Sequence, residues 1–259
     1  MKLFKCLICV VLVLCLLTAC GEFALPVFRP DGSSAPVTVP TSQPTQAPTT
    51  EAPPSMLVEG VSVEDAICYF SEVCLDAEII HEGDPSLLQK WTEPIQYTIF
   101  GSPTEEDLQT LSAFFDWLNT VEGFPGIAEA AEEPHADLRI HFVEQAQIPV
   151  IMGDGFQNTD GAVTFWYNDN NAIYDSVVCI RTDVDQSLRN SVILEELYNG
   201  LGAVQDTTLR PDSIIYQEFS SPQWLTPVDE LILRLLYHPD LQCGMTQAQC
   251  EECIRLLYR

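Results

Sequence analysis

The chain has 259 residues, 46% of them hydrophobic, and 38 Asp and Glu against 11 Lys and Arg, for a formal net charge of -27. So acidic a chain lacks the positive surface that grips nucleic acid or anionic lipid. Its length and apolar content fit one sizeable domain with a tail and exclude a wholly disordered or fibrous chain.

At the start, Lys2 and Lys5 precede an apolar run from Cys6 to Leu17 that ends in Leu17-Thr18-Ala19-Cys20-Gly21. That is the pattern of a secretory signal peptide over residues 1–20, and its apolar core is shorter than the roughly 20 residues that span a bilayer. The Leu-Thr-Ala-Cys ending resembles a bacterial lipobox. The resemblance implies lipidation at Cys20 and an extracytoplasmic protein held on the cell membrane by acyl chains. Loss of Lys2 and Lys5 with the signal would take the charge from -27 to about -29. Residues 21–56 are rich in Pro, Thr, Ser and Ala, a composition that cannot bury a core and predicts a disordered tether. One globular domain is expected over residues 57–259.

Six cysteines fall in that domain: Cys68, Cys74, Cys179, Cys243, Cys250 and Cys253. An even number outside the cell permits disulfides, in any of 15 connectivities. Cys243, Cys250 and Cys253 lack a fourth ligand at a zinc-site spacing.

Apolar residues from Val61 to Leu75 recur at helical period, so the domain opens on an amphipathic helix. The alternation in Ile95-Gln96-Tyr97-Thr98-Ile99-Phe100 predicts a strand. Thr104 then caps a helix with acids in its first turn, running to about Val121 and burying Leu108, Leu111, Phe114, Phe115 and Leu118. Ala136 to Val143 alternates again as a second strand carrying His141. Neither His141 nor His81, His135 and His238 forms a pair with ligand spacing, which argues against a histidine-based zinc site. The acid and glycine loop from Gly153 to Gly161 lacks the full EF-hand order and reads as a turn. Two strands follow, Ala162 to Tyr167 and Ile173 to Thr182, around the hairpin turn Asn168-Asp169-Asn170-Asn171, with Cys179 as a buried structural residue.

The next helix, capped by Asp185 or Ser187 and reaching about Leu201, carries Leu188, Val192, Ile193, Leu197 and Leu201 as its apolar stripe. Glu195 and Asn199, four apart, share a face, and Glu196 lies about 100° round from Glu195. Gly202 suits a left-handed cap that turns Gln205 and Asp206 back toward them. A last helix from Thr246 to Tyr258 completes the domain, and the segment Leu225 to Tyr237 ahead of it resembles the closing helix of matrixin-like enzymes. Ala248, Ile254, Leu256 and Leu257 of the last helix are expected to dock.

The run Glu195-Glu196-Leu197-Tyr198-Asn199-Gly200-Leu201-Gly202-Ala203-Val204-Gln205 resembles the H-E-x-x-H-x-x-G-x-x-H pattern of zinc peptidases, keeping Glu196 and Gly202 and replacing all three histidines. Asp212-Ser213-Ile214-Ile215-Tyr216 is similar to the Met-containing turn of matrixin-like enzymes, with Ile215 at the Met position. Together these segments resemble a bacterial family of domains of unknown function, number 2927, related to zincin-like metallopeptidases. The resemblance covers roughly residues 61–245. It implies an α+β, zincin-like fold: a mixed, partly antiparallel sheet of about four strands packed on the 185–201 helix.

The same resemblance puts Glu196 at the catalytic general-base position and Glu195, Asn199 and Gln205 at the metal-ligand positions, with Asp206 beside them. Zinc favours imidazole and thiolate, whereas these oxygen donors suit a hard divalent cation such as calcium, or no ion. The cofactor is left open. Two functions follow: a non-catalytic domain that binds a peptide or cell-envelope ligand, or a working metal-dependent hydrolase with Glu196 as base. Glu195, if buried, would be neutral or paired with Arg181, Arg189 or Arg210.

Overall fold

The computed structural model describes residues 56–75, 86–218 and 221–258. The signal segment, Cys20 and residues 21–55 of the tether lie outside them. The elements run α1 (Val63–Leu75), β1 (Lys90–Trp91), β2 (Ile95–Gly101), α2 (Glu105–Leu118), β3 (Ile127–Glu129), β4 (Leu138–Val143), α3 (Ile148–Met152), β5 (Gly161–Tyr167), β6 (Ala172–Arg181), α4 (Gln186–Gly200), α5 (Pro227–Tyr237) and α6 (Gln247–Leu257).

This is a mixed α/β fold on a six-stranded sheet. Neighbouring strands follow the order β3-β2-β4-β6-β5, and β1 pairs with Ala172 and Ile173 at the start of β6. The expected partly antiparallel sheet of about four strands is corrected: every pairing is parallel except β5 with β6. Only that pair is joined by a tight turn, in which Asn168 Oδ1 accepts from the backbone N–H of Asn170 and Ala172. The other strand neighbours are separated in sequence by long connections, which deliver parallel strands. Strands β1 and β3 have two and three residues, too few for alternation to mark them.

The helix α2 starts as expected. Thr104 Oγ1 accepts from Asp107 N at 3.2 Å and Asp107 Oδ2 accepts from Thr104 N at 2.7 Å, a closed capping box. Asp107 is fully buried, while Leu108, expected in the core, is 42% exposed. The helix turns its inward position to the acid because Arg189 Nη1 donates to Asp107 Oδ2 at 3.0 Å and Gln186 Nε2 to Asp107 Oδ1 at 2.6 Å. Arg189 also donates to the carbonyls of Thr182 and Val184. The starts of α2 and α4 and the end of β6 are thus tied at one ion pair. Removing the Thr104 hydroxyl as T104A should lower stability by about 1 kcal/mol, read from urea unfolding midpoints at unchanged slope.

Helix α4 packs on β5, β6 and α2. Val192, Ile193, Leu197 and Leu201 are buried as the apolar stripe required, and Leu194 and Tyr198 are buried too. Trp91 Nε1 donates to Gly200 O at 3.0 Å, and the next turn ends at Gly202 with φ +112°. A Cβ at Gly202 would lie 2.3 Å from Gln89 O, so the reversal there depends on glycine both for its dihedral and for space. Helix α6 docks through Cys250, Ile254 and, in part, Leu257; Ala248 and Leu256 face outward, contrary to expectation, because they lie on the other side of the helix.

Candidate functional site

The last turn of α4 carries the two adjacent glutamates. Both keep part of their surface exposed, yet neither has a hydrogen-bond or ion-pair partner among the described residues. Burial, then the charge of Asp206 and that of Asp160, push the Glu195 carboxyl up to about 8. Burial also dominates at Glu196, reinforced by Glu195 and Asp206, and holds its carboxyl well above the usual glutamate range. None of the three candidate arginines relieves them. Arg181 binds Asp160 and Asp183, Arg189 binds Asp107, and Arg210 binds Asp212.

Asn199, one turn after Glu195, donates from Nδ2 to Asp206 Oδ1 at 3.3 Å. That contact shows the chain returning past Gly202 onto the α4 face, as the glycine predicted. Asn199 Oδ1 and Gln205 Oε1 are both shut off from solvent and accept no hydrogen bond. Gln205 is anchored by its backbone N–H, which donates to Val73 O of α1. Glu195, Glu196, Asn199 and Asp206 therefore lie near one another at the end of α4, while Gln205 is tied through its backbone to α1.

Strand β5 closes one side. A Cβ at Gly161 would fall 2.5 Å from Glu196 Oε1 and from Val192 Cγ1, so the missing side chain leaves room for the carboxyl. Glu196 also raises the Cys179 thiol, pushed up to about 12 chiefly by its own burial. Asp160 and Gly161 were read in sequence only as the end of a loop; nothing near them in the chain signals their meeting with α4.

The turn after the site is built on a fully buried acid. Asp229 Oδ1 accepts from Tyr69 OH at 2.9 Å and Ser213 Oγ at 2.7 Å, while Oδ2 accepts from Ile214 N at 3.2 Å, Thr226 N at 2.9 Å and Thr226 Oγ1 at 2.8 Å. Tyr198 OH of α4 donates to the Asp229 backbone carbonyl at 2.9 Å. Ile214 and Ile215 are fully buried in the core that also holds residues of α4 and α5. The turn from Ser213 to Tyr216 is thus held by a carboxylate on α5.

A family model described as a protein of unknown function, DUF2927, matches residues 64–256. The chain belongs to that family. The DUF2927 region begins at the second residue of α1 and ends one residue before the end of α6, so it takes in the whole sheet, the paired glutamates and the Asp229 turn. No curated protein matches the chain.

As a metal centre, the DUF2927 site has a donor set of two glutamates, one aspartate and two amides, with no imidazole. Among the described residues, no group of three or more His, Cys, Asp or Glu side chains comes together closely enough to hold a metal ion. The set does not fit zinc, which prefers nitrogen and sulfur. The six cysteines of the described residues are free; Cys179 is close enough to Glu196 to feel its charge, and no group of three such side chains among the described residues gathers to hold a metal.

Proposed function

We propose that this chain is a membrane-anchored extracytoplasmic lipoprotein whose metallopeptidase-like, zincin-like domain binds a peptide or cell-envelope ligand and does not cut it. The acylated residue is Cys20. In this reading the Leu17-Thr18-Ala19-Cys20 ending supports acyl chains as the anchor. No helix among the described residues is long and apolar enough to cross a membrane.

The observation that carries the binding role is the state of Glu196. A general base must be ionised and poised to accept a proton near working pH. Burial, then Glu195 and Asp206, hold the Glu196 carboxyl well above the usual glutamate range, which disfavours the ionised form that a base needs. Beside it, β5 pairs among the described residues with β6 alone, and its other edge suits an extended ligand in this reading. The active-hydrolase reading draws on the buried, unpartnered oxygens of Asn199 and Gln205, which a hard cation would satisfy together with Glu195 and Asp206, leaving Glu196 as base.

The two separate in one experiment. Purified full-length chain is analysed for bound metal and incubated with a broad peptide library, wild type beside Glu196→Gln. Binding without cleavage in either form is the expected result. Cleavage lost in the variant would establish the hydrolase.

A further inference from the structure

We infer that the recess between α1 and the start of α6 is a second binding site, and that it takes an uncharged sugar. Neither Glu195 nor Glu196 lines it, so the inference stands apart from the role proposed for the end of α4.

The recess has a volume of about 580 Å³, within the range of small-molecule sites. Its walls are fixed by the fold. Glu72 of α1 accepts from Thr207 Oγ1 at 2.5 Å, Thr208 N at 2.9 Å and Thr208 Oγ1 at 2.7 Å, which pins the chain beside Leu209, a half-exposed residue of the lining. Leu88 N donates to Met245 O at 2.9 Å, and the bridge between Leu87 and Thr246 sets Ser86 next to the first turn of α6.

The lining discriminates between classes of ligand. Ser71, Ser86 and Thr246 carry hydroxyls, which both donate and accept. Ser71 Oγ is buried without a hydrogen-bond partner, a state that folded proteins rarely leave uncompensated. A purely apolar ligand would keep it stranded. An anion would meet the Glu72 carboxylate with no basic side chain in the lining to offset it. A metal ion would find that one carboxylate, already engaged by threonine donors, where a hard cation needs six or so oxygens. Leu75 and Leu209 add apolar surface to the hydroxyls. The complement of such a wall is a neutral molecule with hydroxyls round its edge and C–H groups on its face, which describes a pyranose ring.

The test is ligand-observed NMR titration of the full chain with glucose, galactose and N-acetylglucosamine, with glucose 6-phosphate and cyclohexanol as the anionic and apolar comparators. At least one sugar should bind roughly tenfold more tightly than either comparator. The same sugar should slow alkylation of Cys68, the exposed thiol in the lining, while leaving Cys253 as reactive as before, read by peptide mass mapping. Two variants, each first checked for an unchanged fold by circular dichroism, locate the site. Ser71→Ala should weaken binding roughly fivefold, the scale of one neutral hydrogen bond, and Ala248→Trp, which fills the recess from an exposed position in its wall, should abolish it. A comparator that binds as tightly as the sugars overturns the sugar assignment. Sugar binding that survives Ala248→Trp and leaves Cys68 fully reactive overturns the location, and no binding of any of the three sugars overturns the inference as a whole.

Discussion

Asp229→Ala should be among the most destabilising single substitutions in the fold, lowering unfolding free energy by roughly 3–5 kcal/mol. The carboxylate accepts from Tyr69, Ser213, Ile214 and twice from Thr226, and it has no exposed surface. Alanine would leave those donors buried and unpaired, and would open a small void. A domain of this size shifts its Tm by about 2–4 °C per kcal/mol, so a fall on the order of 10 °C is expected in a thermal melt. Asp229→Asn is the sharper control. It keeps the volume but turns an N–H toward hydroxyl and amide donors, and it too should cost stability. A near-wild-type melt for both variants would show that the turn from Ser213 to Tyr216 is held by its apolar packing alone.

Glu195→Gln should do the opposite above neutral pH. The folded carboxyl sits at about 8, against the ordinary glutamate range in the unfolded chain, so the folded state binds its proton more tightly. Stability from this group is therefore full below the unfolded value and is lost as pH rises through about 8. Glu196, also raised, acts in the same direction. The full shift would amount to several kcal/mol. Because Glu195 retains some exposure, solvent screening reduces the expected gain of the variant to roughly 1–3 kcal/mol at pH 9, vanishing near pH 4. Melts of both proteins across that range test the sign. A variant less stable than wild type at pH 9 would mean that Glu195 is ionised and well solvated in the fold.

Much of the scaffold was legible because its signals are local. Thr104 and Asp107 announce the start of α2, the run of asparagines announces the β5–β6 turn, and Gly202 announces the end of α4 at a φ that other residues avoid. The short strands β1 and β3 and the parallel order were not legible. Register between β2, β4 and β6 is decided by packing across the sheet, and no stretch of chain records it. Leu108 shows the same limit: a helical apolar stripe pointed it inward, but the Asp107–Arg189 ion pair turned the helix.

The site divides similarly. The positions of Glu195, Glu196, Asn199 and Asp206 around one helix end follow from period and a glycine turn, and the Asn199–Asp206 contact bears that out. What sequence spacing could not say is which arginine would neutralise Glu195. The answer, none of the three, depends on partners 20 or more residues away in the chain for Arg181 with Asp160 and Arg189 with Asp107. Membership of the DUF2927 family agrees with the resemblance read from the ordered segments.

The glycine that opens β5 has a mechanical meaning. Glu196 Oε1 occupies the space in which any side chain at Gly161 would begin, so the strand backbone rests directly on the acid. Any side chain introduced at Gly161 would meet Glu196 and Val192 at once, so the seating of β5 against α4 depends on that glycine.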